Sequence, residues 1–243
     1  MADGYARVSG KPGVCFVITG PGVTNIATPM GQALADSIPM LVISSVNDTL
    51  ATPQAQGMLH EMPNQLAFSN EVSRYSQTIN NIEQLQSELA YAFELFSSAR
   101  PGPVHLQLPV SLLGSDVGAS VNLVREKSEV SSSVADISAA AELLDHAKKP
   151  LILAGGGATG ASAEIQLLAE KIDAPVHMTI NSRGLLPHNH KLAVPATATL
   201  QTVREAINTC DVVLALGTEL AATDYDQFKD CLLYTSPSPR DRG

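Results

Sequence analysis

Tryptophan is absent from the 243 residues, and aromatic side chains make up only 4% of them. A buried core must therefore be aliphatic, built from Val, Ile, Leu and Ala. Cysteine is scarce too. Cys15, Cys210 and Cys231 are odd in number and far apart, and the first two sit in apolar runs, where cysteine acts as a small hydrophobe. Neither a disulfide framework nor a zinc site follows. His188-Asn189-His190 lies in a polar loop without a nearby acid or thiol, short of the three or four convergent ligands a metal needs, so no metal site is predicted. Basic residues are outnumbered, 15 Lys+Arg against 24 Asp+Glu, and a net charge of −9 argues against a broad nucleic-acid footprint. No apolar run reaches the roughly 20 residues of a membrane helix. The stretch Met1 to Arg7 lacks the basic-then-apolar pattern of a signal peptide, so a cytoplasmic protein is expected.

What remains is a hydrophobic content of 44%, enough for one large or two ordinary α/β domains. Short β-branched runs alternate with helical patterns, the signature of parallel strands joined by crossover helices. Val14 to Thr19 is continuously apolar and predicts a buried strand. It ends at Gly20-Pro21-Gly22, with a helix expected from about Thr24. Met40 to Ser44 predicts a second strand, followed by a long loop. Ile82, Leu85, Leu89, Phe93 and Phe96 then recur at helical spacing, and Asn80 with Glu83 approximates a capping box. Pro101-Gly102-Pro103 stops that helix, and Val104 to Leu108 returns as a strand.

Composition changes near Gly114. Residues 116–134 are rich in Ser, Val and charge, without a sustained period, and predict an interdomain linker. A second α/β run occupies 135–230. Ala139, Leu143, Leu144 and Ala147 give a helix face; Leu151 to Ala154, Pro175 to Thr179 and Asp211 to Leu216 predict strands. Gly155-Gly156-Gly157 leads into a helix carrying Ile165, Leu168 and Ile172, and another helix is expected from about Gln201 to Asn208. Residues 231–243, with their prolines and charges, suit neither helix nor strand and read as a non-native or disordered tail.

The chemistry concentrates at Gly20-Pro21-Gly22-Val23-Thr24-Asn25. A strand end, two glycines and a helix start bring backbone N–H groups to the carboxyl edge of a sheet, where open α/β sheets bind ligands. Alone the pattern fits a tight structural turn equally well. Its surroundings make it specific. Ala2-Asp3-Gly4-Tyr5-Ala6-Arg7, Gly10-Lys11-Pro12-Gly13-Val14, Ala35-Asp36-Ser37-Ile38-Pro39 and Arg100-Pro101-Gly102-Pro103-Val104 flank it in order. Together these motifs resemble the pyrimidine-binding domain of thiamine-diphosphate enzymes, and acetolactate synthase and its relatives among them. The resemblance runs to about Phe228. Leu59-His60-Glu61-Met62-Pro63-Asn64-Gln65, Gly217-Thr218-Glu219-Leu220 and Thr223-Asp224-Tyr225-Asp226 are more similar to the branch containing 5-guanidino-2-oxopentanoate decarboxylase.

The resemblance implies an α/β protein of two doubly wound parallel-sheet domains: a partial pyrimidine-binding domain over 1–115 and a partial Rossmann-like central domain over 135–230. It implies a 2-oxo-acid decarboxylase or carboligase that uses thiamine diphosphate and Mg²⁺ and assembles as a homodimer or homotetramer, with subunit-interface surface expected around the helix near Thr24. Pro21 and Asn25 would contact the pyrimidine side of the cofactor, and Gly20 and Gly22 would shape the turn. Leu59 and His60 stand where acetolactate synthases carry a Phe-Gln pair facing the active site. His60 is a candidate acid/base group or a polar wall, and Glu61 matches a family glutamate. Gly155, Gly156, Gly157, Thr179 and Ile180 match positions near FAD in members that bind it. The triple glycine lacks the G-x-G-x-x-G fingerprint, however, and Thr218-Glu219 replaces an Ala-Arg pair, an unfavourable exchange beside a diphosphate. FAD is therefore not expected. The family's proton-relay glutamate lies just upstream of the Asp3 motif, and its Gly-Asp-Gly…Asn anchor for Mg²⁺ and the diphosphate does not occur in these residues, so a fragment inactive alone is expected. Two other readings remain open at this level: a non-catalytic binding or regulatory module of the same fold, and a flavin- or nucleotide-dependent oxidoreductase.

Overall fold

In a computed structural model the chain divides into two compact units, Met1–Val130 and Ser131–Gly243. The structure describes residues 1–48, 57–98, 100–116, 133–221 and the short strand 233–234. Most of the linker expected at 116–134, nearly all of the tail at 231–243, and Thr223 to Asp226 lie outside the described residues. Among the described residues no helix is long and apolar enough to cross a membrane.

In the first unit α1 (Ala2–Ser9) leads into β1 (Gly13–Val17), α2 (Pro21–Ala35) and β2 (Met40–Val46). Then follow α3 (Gln65–Asn70), β3 (Tyr75–Thr78), α4 (Ile82–Ser98), β4 (Pro103–Pro109) and α5 (Val110–Leu113). The sheet has the order β1-β2-β4-β3, and all its pairings are parallel. Its two faces bury different chemistry. On one, Leu41, Val104, Leu106 and Leu108 pack against Ala92, Leu85, Leu89, Phe93 and Phe96 of α4. On the other, Met40 and Val42, with Cys15 and Val17, meet Ile26, Met30 and Ala33 of α2.

Several expectations change. The strand expected to be buried is the edge of the sheet. Parallel register sets Val14 beside Leu41 and Phe16 beside Ile43, on the α4 face, but α4 covers β2 and β4 and leaves β1 bare. Val14, Phe16 and Ile18 are accordingly exposed, Phe16 to 76%. Helix α2 starts at Pro21, not near Thr24: Gly20 is its N-cap and proline takes the first helical position, where the missing N–H costs nothing. Its Val23, Met30 and Ala33 are buried, whereas Val14, Phe16 and Ile18 before it are exposed. Helix α4 is capped one residue later than expected. Asn81 Oδ1 accepts from the Gln84 N–H at 2.8 Å, and the Gln84 side chain reaches back to the Asn80 N–H at 2.8 Å. The expected long loop after β2 contains α3 and β3, too short and polar to show a period.

The second unit runs α6 (Val134–His146), β5 (Pro150–Ala154), α7 (Ser162–Ile172), β6 (Val176–Met178), β7 (Ala193–Val194), α8 (Gln201–Thr209), β8 (Val212–Leu216) and β9 (Leu233–Tyr234). Its sheet, ordered β7-β6-β5-β8-β9, is again parallel throughout. Ile152, Ala154, Val176 and Met178 pack against Ile165 and Ala169 of α7 on one face; Leu151, Leu153 and Val213 meet Val203 and Ile207 of α8 on the other. Of the face expected on α6, Leu144 and Ala147 are partly buried, whereas Ala139 and Leu143 are exposed.

The two kinds of position on the first sheet should respond differently to truncation. Leu106→Ala removes a side chain with no exposed surface and should cost about 2–5 kcal/mol in urea denaturation. Phe16→Ala should cost less than about 1 kcal/mol. Equal losses would mean that β1 is covered in solution.

Candidate functional site

Parallel pairing sends the carboxyl ends of β1, β2 and β4 to one edge, and the residues singled out around Gly20 gather there. Gly20 has φ +64° and ψ −109°, a region open only to glycine. A Cβ built on it would stand 2.2 Å from the His60 carbonyl oxygen and 3.0 Å from the His60 Cβ. The loop that carries His60 thus rests directly on the turn, and no larger residue fits between them. Gly22 is tight from the other side, where a Cβ would meet Ile18 Cγ2 at 3.0 Å. These glycines let the first turn of α2 lie against the end of its own strand.

Pro21 and Asn25 are one helical turn apart on α2, and both are exposed. The Asn25 side chain makes no hydrogen bond among the described residues. The His60 loop is held by bonds of its own and one from Asn47. Glu61 Oε2 accepts from the Met58 N–H at 3.1 Å, the Glu61 N–H donates to the Met58 carbonyl at 3.1 Å, and Asn47 Nδ2 holds the Leu59 carbonyl at 3.2 Å. His60 itself has φ +60°, unusual for a side chain of its size. Its imidazole is exposed, as is Leu59. The structure therefore brings Gly20, Pro21, Gly22, Asn25, Leu59 and His60 to one place. Glu61 supports the loop through its carboxylate.

Beneath this edge lies a polar network that sequence reading missed. His105 is fully buried on β4. Its Nε2 is 2.8 Å from Ser44 Oγ and its Nδ1 is 2.7 Å from Ser76 Oγ. Burial pushes its pKa down to about 4, so the ring is neutral and each serine meets one nitrogen. The signal was present in Val104-His105-Leu106-Gln107-Leu108. On an interior strand of a parallel sheet both faces are covered, so the polar alternation marks a buried network rather than a wet face.

The other recognised motifs lie at the opposite edge. Arg7 pairs with Asp3 at 3.0 Å and with Asp36 at 2.7 Å, and Arg100 Nε donates to Ser37 Oγ at 2.7 Å. Hydrogen bonding to Asp3 raises the pKa of Arg7 further still. These residues fasten the starts of the strands.

In the second unit the triple glycine serves packing. A Cβ on Gly155 would lie 2.3 Å from the Gly217 carbonyl oxygen, and one on Gly217 would lie 2.4 Å from the Gly157 carbonyl carbon. The Gly155 N–H donates to the Leu216 carbonyl at 2.8 Å and the Gly157 N–H to the Gly217 carbonyl at 2.9 Å. Gly156 also stands close, its Cβ position 3.2 Å from Asn181 Cβ. Thr179 is buried. Its N–H donates to the Ala154 carbonyl at 3.0 Å, and its hydroxyl lies 3.3 Å from Ser182 Oγ. Ile180 is exposed beside it. With these amides committed internally and Glu219 at the strand end, the residues do not fit a flavin diphosphate. Among the described residues no cluster of His, Cys, Asp and Glu could hold a metal ion.

Two parallel sheets, one with a glycine-opened helix start under a fixed loop and one closed by glycines, are the architecture expected of thiamine-dependent enzymes. Residues 1–68 match the family described as thiamine pyrophosphate enzyme, N-terminal TPP binding domain, and residues 137–234 match thiamine pyrophosphate enzyme, central domain. Together the matches span more than half of the chain, which belongs to the thiamine pyrophosphate (thiamine diphosphate) enzyme family.

Among individual proteins, the chain is 44% identical over 227 residues to the "Probable 2-ketoarginine decarboxylase" of Pseudomonas aeruginosa, an alignment covering 93% of this chain and 41% of that one. It is 33% identical over 234 residues to the "Probable acetolactate synthase large subunit" of Methanocaldococcus jannaschii, covering 89% and 38%. With the acetolactate synthase isozyme 1 large subunit of Escherichia coli it shares 29% over 221 residues, covering 89% and 39%. The chain thus spans about two fifths of the length of these curated relatives.

Two measurements check this geometry. Gly20→Ala should lower stability by about 1–3 kcal/mol. Gly4→Ala, at an exposed helical site with nothing within 4 Å, should be neutral or add up to about 1 kcal/mol. His105 gives a pH signature. Its proton is bound near pH 6.5 when unfolded but only near pH 4 when folded, so its contribution is present above 6.5 and lost as the pH falls towards 4. The loss is on the order of 3 kcal/mol. His105→Gln should flatten the pH dependence of the denaturation midpoint across that window.

Proposed function

We propose that this chain forms the pyrimidine-side wall and the central scaffold of a thiamine-diphosphate-dependent enzyme acting on 2-oxo acids. The observation that carries the reading is the exposed face of Pro21 and Asn25 on a glycine-opened helix start, with the His60 loop seated on that same turn. Thiamine diphosphate, when bound, supplies a carbon nucleophile for the substrate carbonyl and an electron sink for the bond that breaks. The chain's own residues then have separate tasks. Gly20 and Gly22 keep the turn low enough for a ring to approach, and Pro21 and Asn25 meet the aminopyrimidine side. Leu59 and His60 form the wall toward the substrate, where the imidazole serves as acid/base group or polar wall, and Glu61 holds their loop in place.

Of the possible substrates, 5-guanidino-2-oxopentanoate is favoured by the 44% identity to a 2-ketoarginine decarboxylase, that compound's other name. Decarboxylation is preferred to carboligation on the same ground. Mg²⁺ and the diphosphate are held by residues outside this chain, and the complete enzyme is a homodimer or homotetramer. The central unit acts as a scaffold without FAD.

The test is expression of the whole reading frame recovered from genomic DNA, assayed for CO₂ release from 5-guanidino-2-oxopentanoate and from pyruvate. Release should require thiamine diphosphate and Mg²⁺, and Asn25→Ala should weaken cofactor affinity about tenfold. His60→Gln should lower kcat about a hundredfold or more if the imidazole is the acid/base group, and little if it is a polar wall. The 243-residue chain alone should show no tight cofactor binding in calorimetry. A whole protein that neither binds thiamine diphosphate nor decarboxylates a 2-oxo acid would falsify the proposal.

A further inference from the structure

The turn at Gly20 is gripped from below as well as from above. Gln65, the first residue of α3, is only 4% exposed, and its carboxamide reaches the end of β1. Its oxygen accepts from the Gly20 N–H at 3.0 Å and from the Thr19 hydroxyl at 2.7 Å. Its nitrogen donates to the Ser45 carbonyl at 2.9 Å and lies 3.2 Å from both Ser44 Oγ and Gln107 Oε1. From there the contacts pass into the sheet: Ser44 to His105, His105 to Ser76, and Gln107 Nε2 to Thr78 Oγ1 at 2.7 Å. A hydroxyl that accepts from Gln65 has its own proton free for His105 Nε2, leaving Nδ1–H for Ser76, so the Gln65–Ser44–His105–Ser76 path can be satisfied while the other amide proton goes to the Ser45 carbonyl.

An apolar residue would fill the same place at less cost in desolvation, as leucines and valines do on the α4 face of this sheet. What it would not supply is an acceptor for the Gly20 N–H. That amide belongs to the N-cap of α2, in a backbone conformation that needs outside support. The His60 loop blocks the turn from moving outward, and Gln65 holds it inward.

We infer that Gln65 is a positioning residue for the Gly20–Pro21 turn, its carboxamide joining that turn to the buried Ser44–His105–Ser76 chain on β2, β4 and β3. Gln65 touches no ligand itself; it sets where Pro21 and Asn25 stand. Its meaning for the reaction rests on the proposed function, whereas the clamp is a property of the chain.

Amide hydrogen exchange on the 243-residue chain tests it without cofactor. Gln65→Met keeps the shape and loses the acceptor. The Gly20 amide should then exchange about tenfold faster or more, relative to the amides of β2, as befits one lost hydrogen bond. Gln65→Glu retains an oxygen for that amide and should restore most of its protection, a rescue that mere space-filling would not give. Ile79→Val, a core truncation on the α4 side, should leave the ratio unchanged. Wild-type protection of Gly20 in Gln65→Met, or equal loss in Gln65→Met and Gln65→Glu, would overturn the assignment. If Gln65→Met fails to fold, Gln65→Glu decides alone: retained protection supports the clamp, and exchange at the rate of open loops refutes it. Should the whole enzyme fail to bind thiamine diphosphate while these ratios hold, the proposed function falls and the clamp stands.

Discussion

Parallel pairing is the constraint on which both units depend. Because β1, β2, β4 and β3 all run the same way, every strand start lies at one edge and every strand end at the other. The motifs are divided between those edges by chemistry. Charged and hydroxyl side chains, Asp3, Arg7, Asp36, Ser37 and Arg100, fasten the starts. Glycine, proline and the His60 loop occupy the ends, where the backbone must come close to something. In the second unit the same polarity brings Gly155 and Gly217, each just past a strand end, face to face.

The two faces of the first sheet carry different burdens. The α4 side is aliphatic and aromatic and supplies most of what burial can supply. The opposite side gives up some of that gain to Gln65, Ser44, His105, Ser76, Gln107 and Thr78. Such groups are costly unless paired, and here they are paired with one another. The cost falls directly beneath the Gly20–Pro21 turn proposed as the cofactor wall, where a fixed backbone would be worth most.

Much of this was legible in the residues. Continuous apolar runs located β2, β5 and β8, Val104 to Leu108 after the Pro101-Gly102-Pro103 break located β4, and the spacing of Leu85, Leu89 and Phe93 located α4. Strand, glycine and helix in order located the turn at Gly20, and the family resemblance singled out Pro21 and Asn25 on it. What escaped has physical causes. Val14 and Phe16 read as buried because composition does not reveal that a strand lies at a sheet edge. Strand β3, Tyr75–Thr78, has only four residues and a polar face turned to His105, so no apolar pattern announces it. Gln65 looked like a loop residue because its partners Gly20 and Ser44 are more than twenty positions away in sequence. The placement of His60 over Gly20 likewise depends on a contact forty residues long in sequence, which the family likeness suggested and spacing alone did not.

The glycines of the second unit bear on how such a chain can change over generations. Gly155 and Gly217 meet backbone to backbone at distances that leave no room for a methyl group on either, and Gly157 stands tight beside them. A side chain gained at Gly155 or Gly217 forces the opposing loop to move, and a compensating change there would have to arrive in the same molecule. The positions are therefore coupled like two halves of a hinge pin, and mutational paths through single substitutions are closed. Divergence in this unit should run through the exposed faces of α6 and α8, leaving the glycines as fixed points about which the rest of the sequence drifts.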